Sequence, residues 1–125
     1  MKASQILIQA DPTIQTRNTY TIRWDHIKKK ADLYCAMGLL GCKTDSMTAG
    51  GLIAPSLEDL FIDNFGANKD LMRKLVKCPE GDCDISDTVS RHHYTGSIGW
   101  AIIHLNDHHR WSFKQIGTWL KGFGL

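Results

Sequence analysis

Little in this 125-residue chain is extreme, and most of what it lacks is informative. It carries 15 Lys+Arg against 13 Asp+Glu, a formal net charge of +2. A balance so small gives no electrostatic argument for nucleic acid or for an acidic substrate. No apolar run approaches the ~20 residues that a membrane span requires, so no membrane association is expected. The opening MKASQILIQADP is broken by Gln5 and Gln9 before Asp11-Pro12 and does not read as a signal peptide. A cytoplasmic setting follows as the expectation, in which the four cysteines stay reduced and a disulfide framework is not the first reading. Repeats, low-complexity runs and domain linkers are missing too, so residues 1–125 are expected to form a single domain. No phosphate-binding glycine loop, dinucleotide fingerprint or paired-carboxylate motif is present, which removes the commonest enzyme signatures.

What is there reads as helix. Ser4 to Ala10 places Ile6, Leu7 and Ala10 on one face, and Asp11-Pro12 ends it. Asn18 to Trp24 alternates β-branched and aromatic residues, fitting one short extended segment for which no second clear strand offers itself. A helix is then expected from about Asp25 to Gly41, with Leu33, Met37 and Leu40 in one stripe and Gly38 beside it, open to a close backbone approach. Cys42 to Pro55 is loop. Ser56 opens a helix through Phe65, and Asn68 caps the next, from Lys69 to Lys77. Ile98 to Asp107 is apolar nearly all round, the mark of a central helix. The last helix begins at Ser112, where Ser-Phe-Lys-Gln forms a capping box between Ser112 and Gln115. The fold class is therefore mainly α: a compact bundle of about five short helices around a C-terminal helix hairpin, with the one extended segment near residues 18–24.

Three groups of residues carry chemistry worth weighing. His104 and His108 are four apart, a metal-ligand spacing on a continuous helix. Asn106-Asp107 between them is a poor helix interior, however, and His104 is followed by Leu105, so the His-Glu-x-x-His zinc-protease pattern is absent. The favoured reading is a structural corner made by Asn106, Asp107, Ser112 and Gln115, with no metal. Cys78 and Cys83 enclose a Cys-Pro-Glu-Gly-Asp-Cys turn, and with His92 and His93 they form the alternative, a zinc knuckle. Cys35 and Cys42 are seven apart, or about 10.5 Å along a helix, beyond the reach of a disulfide. Cys35, Ala36 and Gly38 read as small residues at a helix crossing; a catalytic Cys35 is the minor alternative. The segment RWSFKQIGTWL is like the opening helix of a helix-turn-helix, but only KGFGL follows it and no basic stripe accompanies it.

Taken together, YCAMGLLG (Tyr34 to Gly41) and IIHLNDHHRWSFKQIGTWL (Ile102 to Leu120) resemble a loose group of small, functionally uncharacterised proteins of bacteriophages, prophages and some bacteria. That group shows an aromatic-Cys-Ala-x-Gly-Leu helix and an Asn-Asp corner before a final helix. The resemblance implies a small α-helical accessory protein working in the host bacterial cytoplasm, and it brings no catalytic residues. The expected function is accordingly non-enzymatic: binding of a host or phage protein, as an inhibitor of a host defence or regulatory protein would do, without cofactor. The alternatives are a zinc-stabilised module using Cys78, Cys83 and a histidine to contact nucleic acid, and a small enzyme using Cys35 or the His104–His109 cluster.

Overall fold

The computed structural model describes residues 1–48, 51–52, 57–73, 76–81, 83 and 98–125. Among them are six α-helices: α1 (Ala3–Gln9), α2 (Ala36–Lys43), α3 (Leu57–Phe65), α4 (Lys69–Arg73), α5 (Ile98–Asp107) and α6 (Phe113–Lys121). A 3-10 turn (Pro12–Ile14) and two antiparallel two-residue ladders, β1 (Thr21–Ile22) with β2 (Leu33–Tyr34) and β3 (Met47–Thr48) with β4 (Gly51–Leu52), accompany them. The fold is mainly α. No helix among the described residues is long and apolar enough to cross a membrane.

Helix α5 occupies the centre, packing against α2, α3 and α6, as its nearly all-round apolar sequence requires. Ile98, Ala101, Ile102 and Leu105 are fully buried, and Trp100 and Ile103 are half-buried on its other side. Helix α6 contributes Phe113, Ile116 and Leu120 to the same core. Each such side chain removed from water stabilises the fold by roughly 1.5–3 kcal/mol before chain entropy is counted. Helix α1 lies along α6. The crossing depends on Gly117, because a β-carbon there would come within 2.9 Å of the Ser4 carbonyl oxygen.

One expectation fails. The segment 25–34 is not the first half of a long helix; it is the return arm of a hairpin. Thr21 pairs with Tyr34 and Ile22 with Leu33, so the partner strand comes from residues whose spacing looked helical. The cause is local. Asp25 Oδ1 accepts from the amides of Ile27 (2.9 Å) and Lys28 (3.1 Å), which begins a turn, and Lys29 at φ 53° then reverses the chain. Asp25 and Lys30 close the turn with a pair of backbone hydrogen bonds. The Tyr34 hydroxyl accepts from the Ala31 amide at 2.7 Å, which uses a donor that a helix would have needed. Helix formation waits until Ala36, behind Cys35, whose Sγ accepts from the Gly38 amide at 3.3 Å as the N-cap.

Gly38 has a defined role in this arrangement. A methyl group on it would overlap the Tyr20 carbonyl oxygen, which itself accepts from the Cys35 amide at 3.0 Å. The hairpin therefore rests on the first turn of α2 through backbone, and only glycine leaves that space. The expected cap at Asn68 is present: its Oδ1 accepts from the Leu71 amide at 2.7 Å. Ser56, the expected cap of α3, lies outside the described residues, as do His92 and His93.

Candidate functional site

The corner between α5 and α6 gathers a connected network of buried and half-buried polar groups. Helix α5 ends at Asp107, Arg110 adopts a left-handed φ of 57°, and the Trp111 amide closes back on the Leu105 carbonyl at 2.9 Å. Ser112 then caps α6. Its Oγ accepts from the Gln115 amide at 3.1 Å, and Gln115 Oε1 accepts from the Ser112 amide at 2.8 Å. Two of the amide donors at the start of the helix are thereby satisfied.

Asn106 does more than stop a helix. It is fully buried in the last turn of α5, and all of its polar capacity is spent on the chain around it. Oδ1 accepts from the Ala36 amide (3.1 Å) and from Gln15 Nε2 (2.7 Å). Nδ2 donates to the Thr16 carbonyl (2.9 Å) and to Asp107 Oδ1 (2.7 Å). Asp107 in turn accepts from the Asn18 amide at 2.9 Å. Gln15 donates to the Trp111 carbonyl at 2.8 Å and accepts from the Phe113 amide at 3.1 Å. Arg17 reaches the carbonyls of Trp111 and Arg110 at 3.1 and 3.2 Å. The segment Gln15 to Asn18 is thus latched onto the corner by side-chain hydrogen bonds alone.

The corner also changes which histidines meet. His104 and His109, five apart, would diverge on a continuing helix. Because α5 stops at Asp107, His109 folds back until its ring lies 4.8 Å from that of His104, at 83°. The Cys78–Cys83 turn arrives at the same place. Cys78 Sγ lies 3.3 Å and Cys83 Sγ 3.4 Å from His109 Nε2, and one donor atom from each of Cys78, Cys83, His104 and His109 falls within 4.8 Å of the others. Cys78 is buried, and the other three are half-buried. Such a set could hold a soft divalent ion. His108 is exposed and stacks on His104 at 5.0 Å without joining the four. Burial, with the neighbouring His109 and His108 imidazoles, lowers the pKa of His104.

The residues that sequence reasoning singled out therefore sort unevenly. Cys78 and Cys83 do come together, but the imidazoles facing them are His104 and His109; His92 and His93 lie outside the described residues. The usable signal was the symmetry of the spacing, Cys-x4-Cys followed by His-x4-His. Cys35 sits apart from the cluster. It is buried, and that burial pushes its thiol up to about 11 despite the Gly38 amide that it accepts. At neutral pH it is a protonated helix cap and a poor nucleophile.

On the outer side of the corner, Trp111, Ser112, Lys114, Gln115, Thr118 and Trp119 line an open groove of about 450 Å³. Glu80, from the Cys78–Cys83 turn, accepts from Trp111 Nε1 at 2.8 Å and so orients one wall. Trp119 packs edge-on against Phe123 at 5.1 Å to form the other. From His108 to Leu125 the chain carries Arg110, Lys114 and Lys121 and no acidic side chain. No protein-family model, curated protein or solved structure matches this chain.

Proposed function

We propose that this protein is a non-enzymatic binding module, an accessory protein of the phage type, whose working surface is the α6 groove between Trp111 and Trp119. The observation that carries the reading is the composition of that groove: two half-buried tryptophans with Lys114 between them, on a stretch free of acidic side chains. Tryptophan is prominent among the residues that dominate the energetics of protein interfaces, because it brings a large apolar area together with a polar N–H. The matching partner is a protein segment that inserts an apolar or aromatic side chain and flanks it with carboxylates. A groove of this size takes one or two side chains, whereas a nucleic-acid strand needs a longer cationic track. The resemblance of the Tyr34–Gly41 and Ile102–Leu120 segments to phage and prophage proteins supports a host or phage protein as the source of that segment. The enzyme reading through Cys35 loses support from the burial and raised pKa of its thiol.

The test is selection of a random peptide display library on immobilised protein, counter-selected on Trp119→Ala. Enrichment of an acidic, aromatic-containing consensus that Trp119→Ala and Lys114→Glu each fail to bind supports the reading. A consensus that both variants bind as well as wild type refutes it, and so does micromolar binding of a single-stranded oligonucleotide without any peptide consensus.

A further inference from the structure

We infer that Cys78, Cys83, His104 and His109 form a closed, structural zinc site that fastens the Cys78–Cys83 turn to the α5–α6 corner. Four features converge on it. The first is distance. A tetrahedron with Zn–S near 2.3 Å and Zn–N near 2.0–2.1 Å has ligand–ligand edges of about 3.3–3.8 Å. The two S···N separations at His109 are 3.3 and 3.4 Å, and all four donors lie within 4.8 Å of one another. The second is hydrogen-bond capacity. A neutral imidazole nitrogen offers one lone pair or one proton, so two thiols at nearly equal distance from His109 Nε2 cannot both make a full hydrogen bond to it. A shared cation engages all three atoms.

The third feature is an orphan. His104 Nε2 is buried and has no hydrogen-bond partner among the described residues. An unmet buried polar atom is unusual in a native interior and calls for a cause. Coordination supplies one, since this ring lies beside the His109 ring that the thiols already touch. The fourth is spacing. Cys-x4-Cys and His-x4-His both fall within the ranges that structural zinc sites use. The turn that sets the cysteine pair is built for the purpose: the Gly81 amide donates to the Cys78 carbonyl at 3.3 Å, and Gly81 itself holds a φ of 153° that other residues rarely adopt.

The donor set chooses the metal. Two sulfurs and two imidazole nitrogens suit zinc and disfavour magnesium and calcium, which require oxygen. Binding releases the two thiol protons to solvent, and two thiolates with one dipositive ion leave a neutral cluster, which a half-buried site tolerates. Four protein ligands fill the four positions, so no place remains for water or substrate and the role is structural. The site also reaches the α6 groove, because Glu80, inside the fastened turn, orients Trp111. It stands independently of the partner reading, however: a chain that loads zinc and binds no peptide would uphold the site and overturn only the groove.

The decisive experiment uses full-length protein without a histidine tag. Elemental analysis is expected to find one zinc per chain, and cobalt(II) added to metal-free protein is expected to give the visible bands of a tetrahedral thiolate complex. His109→Ala and Cys83→Ser should each weaken zinc binding by more than about a hundredfold, since even residues that only support a ligand change affinity 10–100-fold. His108→Ala should leave affinity within about threefold of wild type, because that ring lies outside the four. Should a variant fail to fold, alkylation of wild type decides: zinc should protect Cys78 and Cys83 from iodoacetamide, as read by peptide mass. Substoichiometric metal with no tetrahedral cobalt spectrum overturns the site. Equal losses in His108→Ala and His109→Ala, or alkylation of Cys78 and Cys83 that zinc does not slow, overturn the ligand assignment.

Discussion

Truncation of Asn106 to alanine is the sharpest test of the corner. The side chain is fully buried and makes four hydrogen bonds, two of them to backbone groups: the Ala36 amide at 3.1 Å and the Thr16 carbonyl at 2.9 Å. In Asn106→Ala the buried Ala36 amide and the part-buried Thr16 carbonyl both lose that partner. Leaving a buried backbone donor or acceptor unmet costs about 1–3 kcal/mol, and a part-buried carbonyl that water can reach costs less. The expected loss is therefore about 1–4 kcal/mol, a large share of the roughly 5–15 kcal/mol that separates a domain of this size from its unfolded state. Urea unfolding followed by both circular dichroism and tryptophan fluorescence measures it, with the slope unchanged if the variant remains two-state. Gln15→Ala removes the 2.7 Å bond to Asn106 together with the contacts to Trp111 and Phe113. Because the two residues share that bond, the double variant should lose less than the sum of the singles, by about 0.5–3 kcal/mol. A loss below about 1 kcal/mol for Asn106→Ala, or strict additivity in the cycle, would refute the view that this amide holds the corner.

Gly38→Ala forces a methyl group into the Tyr20 carbonyl and should cost at least about 2 kcal/mol through overpacking and a strained Cys35–Tyr20 hydrogen bond, measurable as a lowered urea midpoint. Cys35, raised from 9.0 to about 11, keeps its proton more tightly in the folded state than in the unfolded one. It therefore contributes stability that is complete below about pH 9 and is lost as the pH rises through 11, on the order of 2–3 kcal/mol. A Cys35→Ala variant should show a flatter stability profile across that window than wild type, and parallel profiles would count against the assignment. Removing zinc with a chelator should lower the melting temperature of wild type and not of Cys83→Ser; an ion held a thousandfold above its dissociation constant contributes about 4 kcal/mol. Identical melting curves with and without chelator would contradict a structural metal.

How much of this was legible in the sequence depended on range. Helices α1, α3, α5 and α6 follow from periodicity and caps that act within a turn or two, such as Ser112 with Gln115. The 25–34 hairpin was misread because Leu33, Met37 and Leu40 keep helical spacing across a strand–cap–helix junction. Met37 and Leu40 are buried helix residues, whereas Leu33 pairs with Ile22. Periodicity cannot see that Lys29 turns left-handed. At the corner, a metal site and a helix boundary looked like competing readings. They need not compete, because the end of the helix leaves His108 stacked on His104 while His109 meets both His104 and the two cysteines. The partners of Asn106 at Gln15 and Thr16 lie 91 and 90 positions away, and no local pattern announces them.

That separation bears on how the chain assembles itself. The latch from Gln15 to Asn18 and the packing of α1 on α6 join segments 89 or more positions apart along the chain. Loop-closure entropy must be met before such distant contacts return anything, so folding should be slow for a helical protein of this length. On the ribosome the N-terminal helix and the 21–34 hairpin have no corner to dock on until Phe113 and the helix beyond it have emerged. Nascent chains arrested short of that point should stay open to protease, and protection should appear in a single step when α6 clears the exit tunnel.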